Sequence, residues 1–278
     1  MKVCAIFGAI KKLQEAKKLI AIKEVCGVSA GAWLAFMLSI NSPIEVIERL
    51  ISDLDFTIIR NLNTESIMGF PETFGIDDGS KFINLLETIF RVVFKINSTL
   101  TFADLNTDIQ FRCWATDLTT KSSREFSLKA TPNVRIIDAL RATTAIPVYF
   151  TPFIDPITGN MLSDGGIQGA IGIQNLTAEE CAESCIIGFL NEEEQSGKTP
   201  NDIIGFINSV FKCLIHSRHE DLLKEWNHHI LRIPLDFQSW NFEATKEDRL
   251  ALIEKGYIAA KNWLNKPHSR SINRRHSI

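Results

Sequence analysis

From Ala9 to Leu19 the apolar residues Ile10, Leu13, Ala16 and Leu19 recur at helical spacing with lysines between them, which predicts an amphipathic helix with one buried stripe. A strand-like run, Ile20 to Cys26, follows and stops at Gly27. A second helical run, apolar almost all round, begins at Gly31 and continues to Ile40. It is about half of the roughly 20 residues that a bilayer crossing needs, and Asn41 and Pro43 bound it, so it reads as a buried core helix. Gly27-Val28-Ser29-Ala30-Gly31 is therefore placed on a strand-to-helix turn.

Residues 43–100 read as mostly helical, with Ser42-Pro43 as a start and Ile44, Ile47 and Ile51 keeping the period. Within them, Asn61 to Asp78 is irregular and carries Gly69, Pro71 and Gly75. Ile109 to Ala115 is β-like, Ile136 to Thr143 is helical, and a loop punctuated by Pro147 and Pro152 holds Tyr149 and Phe150. Cys185 to Leu190 reads as a buried strand, Asn191 to Pro200 as a polar loop and Ile203 to Leu214 as a helix. His229 to Pro234 is then a strand and Lys246 to Leu264 a helix. Alternating strands and helices imply an α/β fold with a mainly parallel sheet covered on both faces.

Composition narrows the class without changing that picture. Of 278 residues 45% are hydrophobic, and 30 Lys+Arg stand against 33 Asp+Glu for a net charge of -3, which excludes a disordered chain, a collagenous one and an ordinary basic nucleic-acid binder. The length suits one large domain, and a single domain is expected. The apolar first residues run at once into Lys11, Lys12, Lys17 and Lys18 with no small-residue cleavage site, so no secretory signal is read and a cytoplasmic location is expected. Cys4, Cys26, Cys113, Cys181, Cys185 and Cys213 lack the density of a disulfide scaffold or the paired spacing of a zinc site, and read as reduced, buried thiols. The basic tail, 265–278, reads as a frayed terminus, with contact to an anionic membrane surface as the rival reading.

The turn at Gly27 to Gly31 matches Gly-x-Ser-x-Gly, in which small residues on both sides let a serine hydroxyl project from a strained junction. Such a turn exposes a nucleophile and aims the N-terminus of the next helix at a developing oxyanion. A plain tight turn explains the glycines equally well by pattern alone. A nucleophilic serine needs a base, and the six histidines, His216, His219, His228, His229, His268 and His276, all come late and in no recognisable base motif. Asp164, in Met161-Leu162-Ser163-Asp164-Gly165-Gly166, follows a short apolar run and precedes two glycines that allow close backbone approach, although a simple Asp-Gly turn accounts for it in isolation.

Taken together, the serine turn and the Asp-Gly-Gly run resemble the patatin-like phospholipases, whose serine elbow and Asp-Gly-Gly motif form a Ser/Asp dyad without histidine. The resemblance extends through Trp114 to Thr120, Phe126-Ser127, Asp138 to Phe150 and the late helix around Leu250 to Ala260, and so over about residues 5–264. It implies a three-layer α/β/α fold in an acyl hydrolase domain over 1–264, with Ser29 as nucleophile and Asp164 as base. Gly27, Ala30, Gly31, Gly165 and Gly166 supply motif and oxyanion support. It further implies an acyl-enzyme route, no metal or organic cofactor, and a phospholipid or other fatty acyl ester as substrate, with peripheral membrane contact as a further expectation. Phe70, Phe74, Tyr149 and Phe150 are expected either to line an apolar groove or to pack in the core.

Three departures from the family pattern keep other readings open. The family's glycine-rich oxyanion loop has no counterpart, Val3 standing where its final glycine belongs, so the chain reads as an N-terminally shortened member. Gly169-Ala170-Ile171-Gly172 replaces the Asn-rich, Pro-containing sequel to Asp-Gly-Gly, and Thr143 and Thr144 replace a Ser-rich pair. A catalytically impaired patatin fold that binds lipid or a protein is the alternative on these grounds. A serine hydrolase using one of the late histidines is a third.

Overall fold

The computed structural model describes residues 2–62, 64–169, 172–190, 226–235 and 244–266, together with 199, 206 and 209. In chain order the elements are α1 (Lys2–Glu15), β1 (Glu24–Val28), α2 (Ala30–Ser39), α3 (Ile44–Asp53), α4 (Thr64–Met68), α5 (Phe70–Thr73), β2 (Gly75–Asp77), α6 (Ser80–Ile89), β3 (Gln110–Asp117), β4 (Ser122–Ser127), α7 (Ile136–Thr143), β5 (Val148–Phe150), β6 (Phe153–Ile154), β7 (Met161–Ser163), α8 (Ala178–Glu183), β8 (Ile186–Leu190), β9 (Ile230–Pro234) and α9 (Lys246–Leu264). Strand pairing is parallel in β1–β3, β2–β5 and β8–β9, and the mixed α/β class is the one the alternation predicts. The chain divides into two compact units, one of residues 22–47 and 54–172, the other of 1–21, 48–53 and 173–278.

In the first of these units β3 is the hub. Its residues Arg112 to Asp117 pair antiparallel with β4, which occupies one edge, so its other partners share the opposite edge. There β1 runs parallel to it and ends with Val28 beside Trp114, while β7 runs antiparallel and ends with Ser163 beside Thr116. Two strands therefore approach one another end to end along one edge of β3. The residues that follow them, Ser29 and Asp164, emerge at the gap. Over this sheet lies α2, whose residues Ala32, Leu34, Ala35, Phe36, Met37 and Ser39 are buried, as the continuous apolar run predicts. Phe36 stacks on Phe90 at 4.8 Å and meets Phe111 of β3 edge-on at 5.7 Å. Phe150 and Phe82 stack at 6.0 Å, so Phe150, only 2% exposed, is a core residue.

The second unit is built on α1 against α9. Both helices bring a glycine to the contact: a Cβ at Gly8 would overlap the Ile253 carbonyl, and one at Gly256 the Ala5 carbonyl, so any larger residue would push the helices apart. Thr245 and Asp248 form a capping box at the start of α9, and the buried Arg249 donates to the carbonyls of Ser52 at 3.0 Å and Ala244 at 2.7 Å. Beside this pair lie the parallel strands β8 and β9.

Several elements differ from the sequence expectation. The first helix spans Lys2–Glu15 rather than Ala9 to Leu19, because Val3, Phe7, Ile10 and Leu13 make one stripe and all are buried. Val3, aligned above with a loop, lies in its first turn. β1 begins at Glu24 rather than Ile20, which is 77% exposed in a turn. The stretch Asn61 to Asp78 contains α4, α5 and β2, and the loop between Pro147 and Pro152 contains β5, which pairs with β2. Cys4, Cys113 and Cys181 are buried free thiols, whereas Cys26 and Cys185 are exposed. Cys213 and the tail from 267 onward lie outside the described residues, as do the loop at 191–200 except for 199 and the helix at 203–214 except for 206 and 209. Among the described residues no helix is long and apolar enough to cross a membrane.

Candidate active site

Ser29 occupies the single residue between β1 and α2, with φ 53° and ψ −132°. Positive φ is costly for a residue with a side chain and persists where the surroundings over-determine it. Here Gly27 permits the sharp turn, since a Cβ on it would overlap the backbone of Ala32. The Ala32 amide donates to the Ser29 carbonyl at 3.0 Å, closing the first turn of α2, in which Ala30 and Gly31 lie half-buried. The serine amide is held on its other side by Thr143, which accepts from it at 2.9 Å. Ser29 itself is half-buried.

The serine hydroxyl donates to Oδ2 of Asp164 at 2.6 Å, so the two residues singled out in the sequence, 135 positions apart, meet directly. The other carboxylate oxygen, Oδ1, accepts from the Gly166 amide at 2.7 Å. The backbone of Asp164 is pinned as well: its amide donates to the Ala145 carbonyl at 2.8 Å, and its carbonyl accepts from the Thr116 hydroxyl at 2.9 Å. Gly165 fills the gap between the ends of β1 and β7, where a Cβ would overlap the Trp114 carbonyl and crowd Val28. Of the Asp-Gly-Gly run, one glycine is thus required by space and the other supplies an amide.

Asp164 is only 8% exposed. Burial pushes its carboxyl up from 3.8 to about 6, against the hydrogen bonds from Ser29 and Gly166, which favour the ionised form. A short hydrogen bond from a hydroxyl to a buried carboxylate of this kind is the arrangement in which the carboxylate can take the hydroxyl proton.

Among the histidines, His229 lies in the other unit, the side chain of His228 falls outside the described residues, and so do His216, His219, His268 and His276. Ala170 and Ile171 of the altered sequel are likewise outside, while Gly172 takes φ +72° against Val28. Of the expected groove residues, Phe74 is 52% exposed at φ 59°, and Phe70 and Tyr149 are half-buried. Thr143, Thr116 and Ala145 take part in the site although the sequence reading assigned them no role in it. All three fall within the runs Trp114 to Thr120 and Asp138 to Phe150, and the hydroxyls at 116 and 143 were the available clue.

A family model described as patatin-like phospholipase matches residues 1–176. An uncharacterized protein, R571 of Acanthamoeba polyphaga mimivirus, is 28% identical over 145 residues, which are 52% of this chain and 47% of that protein. Among solved structures, VipD from Legionella pneumophila aligns with a TM-score of 0.58 at 18% identity, over 95% of this chain and 65% of VipD. ExoU from the type III secretion system of Pseudomonas aeruginosa, solved in complex with SpcU, aligns at 0.44 and 14% identity, over 96% of this chain and 51% of the other. The chain thus spans between about half and two thirds of the length of these relatives. With the family match covering more than half of its residues, the chain belongs to the patatin-like phospholipase family.

Proposed function

We propose that the chain is a lipid acyl hydrolase in which Ser29 and Asp164 act as a two-residue catalytic dyad. The observation that carries this reading is the 2.6 Å hydrogen bond from the hydroxyl of a strained, positive-φ serine to a buried carboxylate. Ser29 Oγ attacks the ester carbonyl carbon as its proton passes to Asp164, forming the C–O bond of a tetrahedral intermediate. That intermediate collapses by breaking the bond to the alcohol, whose oxygen takes the proton from Asp164. Water then attacks the acyl-serine, gives a proton to Asp164, and releases the fatty acid as the serine recovers its hydrogen. One carboxylate alternates as base and acid.

Charge develops on the carbonyl oxygen in both steps. α2 has no side-chain cap, so the amides of Ala30 and Gly31 at its N-terminus are donors for that oxygen, reinforced by the helix dipole. Family membership supports a phospholipid or other fatty acyl ester as the substrate class.

The test is fatty acid release from a short-chain ester and from a diacyl phospholipid in mixed micelles, by the wild-type chain and by Ser29→Ala. Turnover that vanishes in Ser29→Ala supports the reading. Turnover that survives the substitution overturns it.

A further inference from the structure

We propose that Thr143 is a positioning residue for the reaction: its buried hydroxyl, anchored on the carbonyl of Trp114, fixes the backbone amide of Ser29 and so aims the serine Oγ at Asp164. This rests on the reading of Ser29 as nucleophile. Thr143 closes α7 and has no exposed surface. Its Oγ1 donates to the Trp114 carbonyl at 2.5 Å and accepts the Ser29 amide at 2.9 Å. A hydroxyl has a single proton, and with that proton committed to the carbonyl, its lone pairs are left to face the amide. The direction of both bonds is thereby set.

The need for such an anchor lies in the elbow. Ser29 is held at φ 53°, where a residue with a Cβ does not rest unaided, and the Ala32 amide restrains only the carbonyl side of the residue. Thr143 restrains the amide side. The anchor point is significant too, because β3 carries both halves of the dyad: Trp114 holds Thr143, and two residues on, Thr116 holds the Asp164 carbonyl. One short stretch of strand thus sets the separation of serine and carboxylate.

The adjacent Thr144 supplies the contrast. It is 6% exposed, but its hydroxyl bonds back into its own helix at the Leu140 carbonyl, 2.7 Å away, and holds no other segment. Thr143→Val and Thr144→Val therefore remove the same group from neighbouring buried positions, and only one of them touches the elbow.

The experiment uses the full chain and measures kcat and KM for a short-chain ester, the pH dependence of kcat/KM, and thermal unfolding in Thr143→Val, Thr143→Ser and Thr144→Val. A displacement of about 1 Å in a reacting group costs roughly a hundredfold in rate, so Thr143→Val should lose kcat on that order with KM little changed. Thr143→Ser keeps the hydroxyl and should recover most of the rate. In Thr143→Val the acid limb of the pH profile should also move upward, because the Ser29 hydrogen bond that favours the ionised carboxylate is weakened. The hydrogen bonds to that carboxylate come from Ser29 and Gly166, neither of them charged. Thr144→Val should turn over as the wild type does. The inference is overturned if Thr143→Val keeps wild-type kcat, if Thr143→Ser is as impaired as Thr143→Val, or if Thr144→Val loses as much. Failure of the parent reading is seen separately, as wild-type turnover that persists in Ser29→Ala.

Discussion

Replacing Asp164 by asparagine is expected to lower kcat/KM for an ester substrate by about 10²–10⁴-fold, the usual contribution of a positioned general base. The amide is close in shape to the carboxylate and leaves an oxygen to accept from Ser29 or Gly166, so the local geometry survives while the proton acceptor is lost. The loss should appear mainly in kcat, because the group acts on the proton rather than on the bound acyl chain. The competing assignment, a histidine base, makes the opposite prediction: Asp164→Asn would keep most of its activity, and His229→Ala or His216→Ala would lose it. Steady-state kinetics on these three variants and Ser29→Ala separate the two, with circular dichroism to verify that each is folded.

Because the carboxyl of Asp164 is held at about 6 by burial, the activity of the wild type should fall about tenfold per pH unit below that value, whereas an ordinary aspartate near 3.8 would leave the rate level down to about pH 4. The same shift bears on stability. Between 3.8 and about 6 the folded protein binds a proton that the unfolded chain does not, so stability declines as pH rises through this window. Above it the burial of the charge costs about 3 kcal/mol. Asp164→Asn removes that cost. The inactive variant should therefore unfold at higher temperature than the wild type at pH 8, and the two should converge near pH 4. An acid limb below pH 4.5 in the wild type, or an Asp164→Asn protein that is less stable at pH 8 than at pH 4 relative to wild type, would show that the buried carboxylate is not in the state described.

The meeting of Ser29 and Asp164 was legible in the sequence because both residues are announced by glycines. Gly27 and Gly165 stand where a Cβ would strike Ala32 and the Trp114 carbonyl, and that steric demand is written into the chain as Gly-x-Ser-x-Gly and Asp-Gly-Gly. Helices with a strong pattern, α7 and α9, begin and end where the sequence placed them. Short strands did not show. β5 has three residues between two prolines, too few for alternation to register, and it owes its existence to β2, more than seventy positions earlier. The first helix begins before Ala9 and runs through Gly8, against which the Ile253 carbonyl lies. Thr143 was the least visible of the site residues. Its hydroxyl acquires a role only when folding brings Trp114 and Ser29, from 29 and 114 positions away, to either side of it.

The central claim, that Asp164 activates Ser29 for attack, is tested most directly by reaction with a fluorophosphonate ester at pH 8, followed by intact mass and peptide mapping. Such a probe demands an activated serine and little of the acyl pocket. The account predicts a single adduct on Ser29 of the wild-type chain and labelling of Asp164→Asn slower by about 10²-fold or more. No adduct, an adduct on another serine, or an Asp164→Asn protein labelled as fast as the wild type would contradict it.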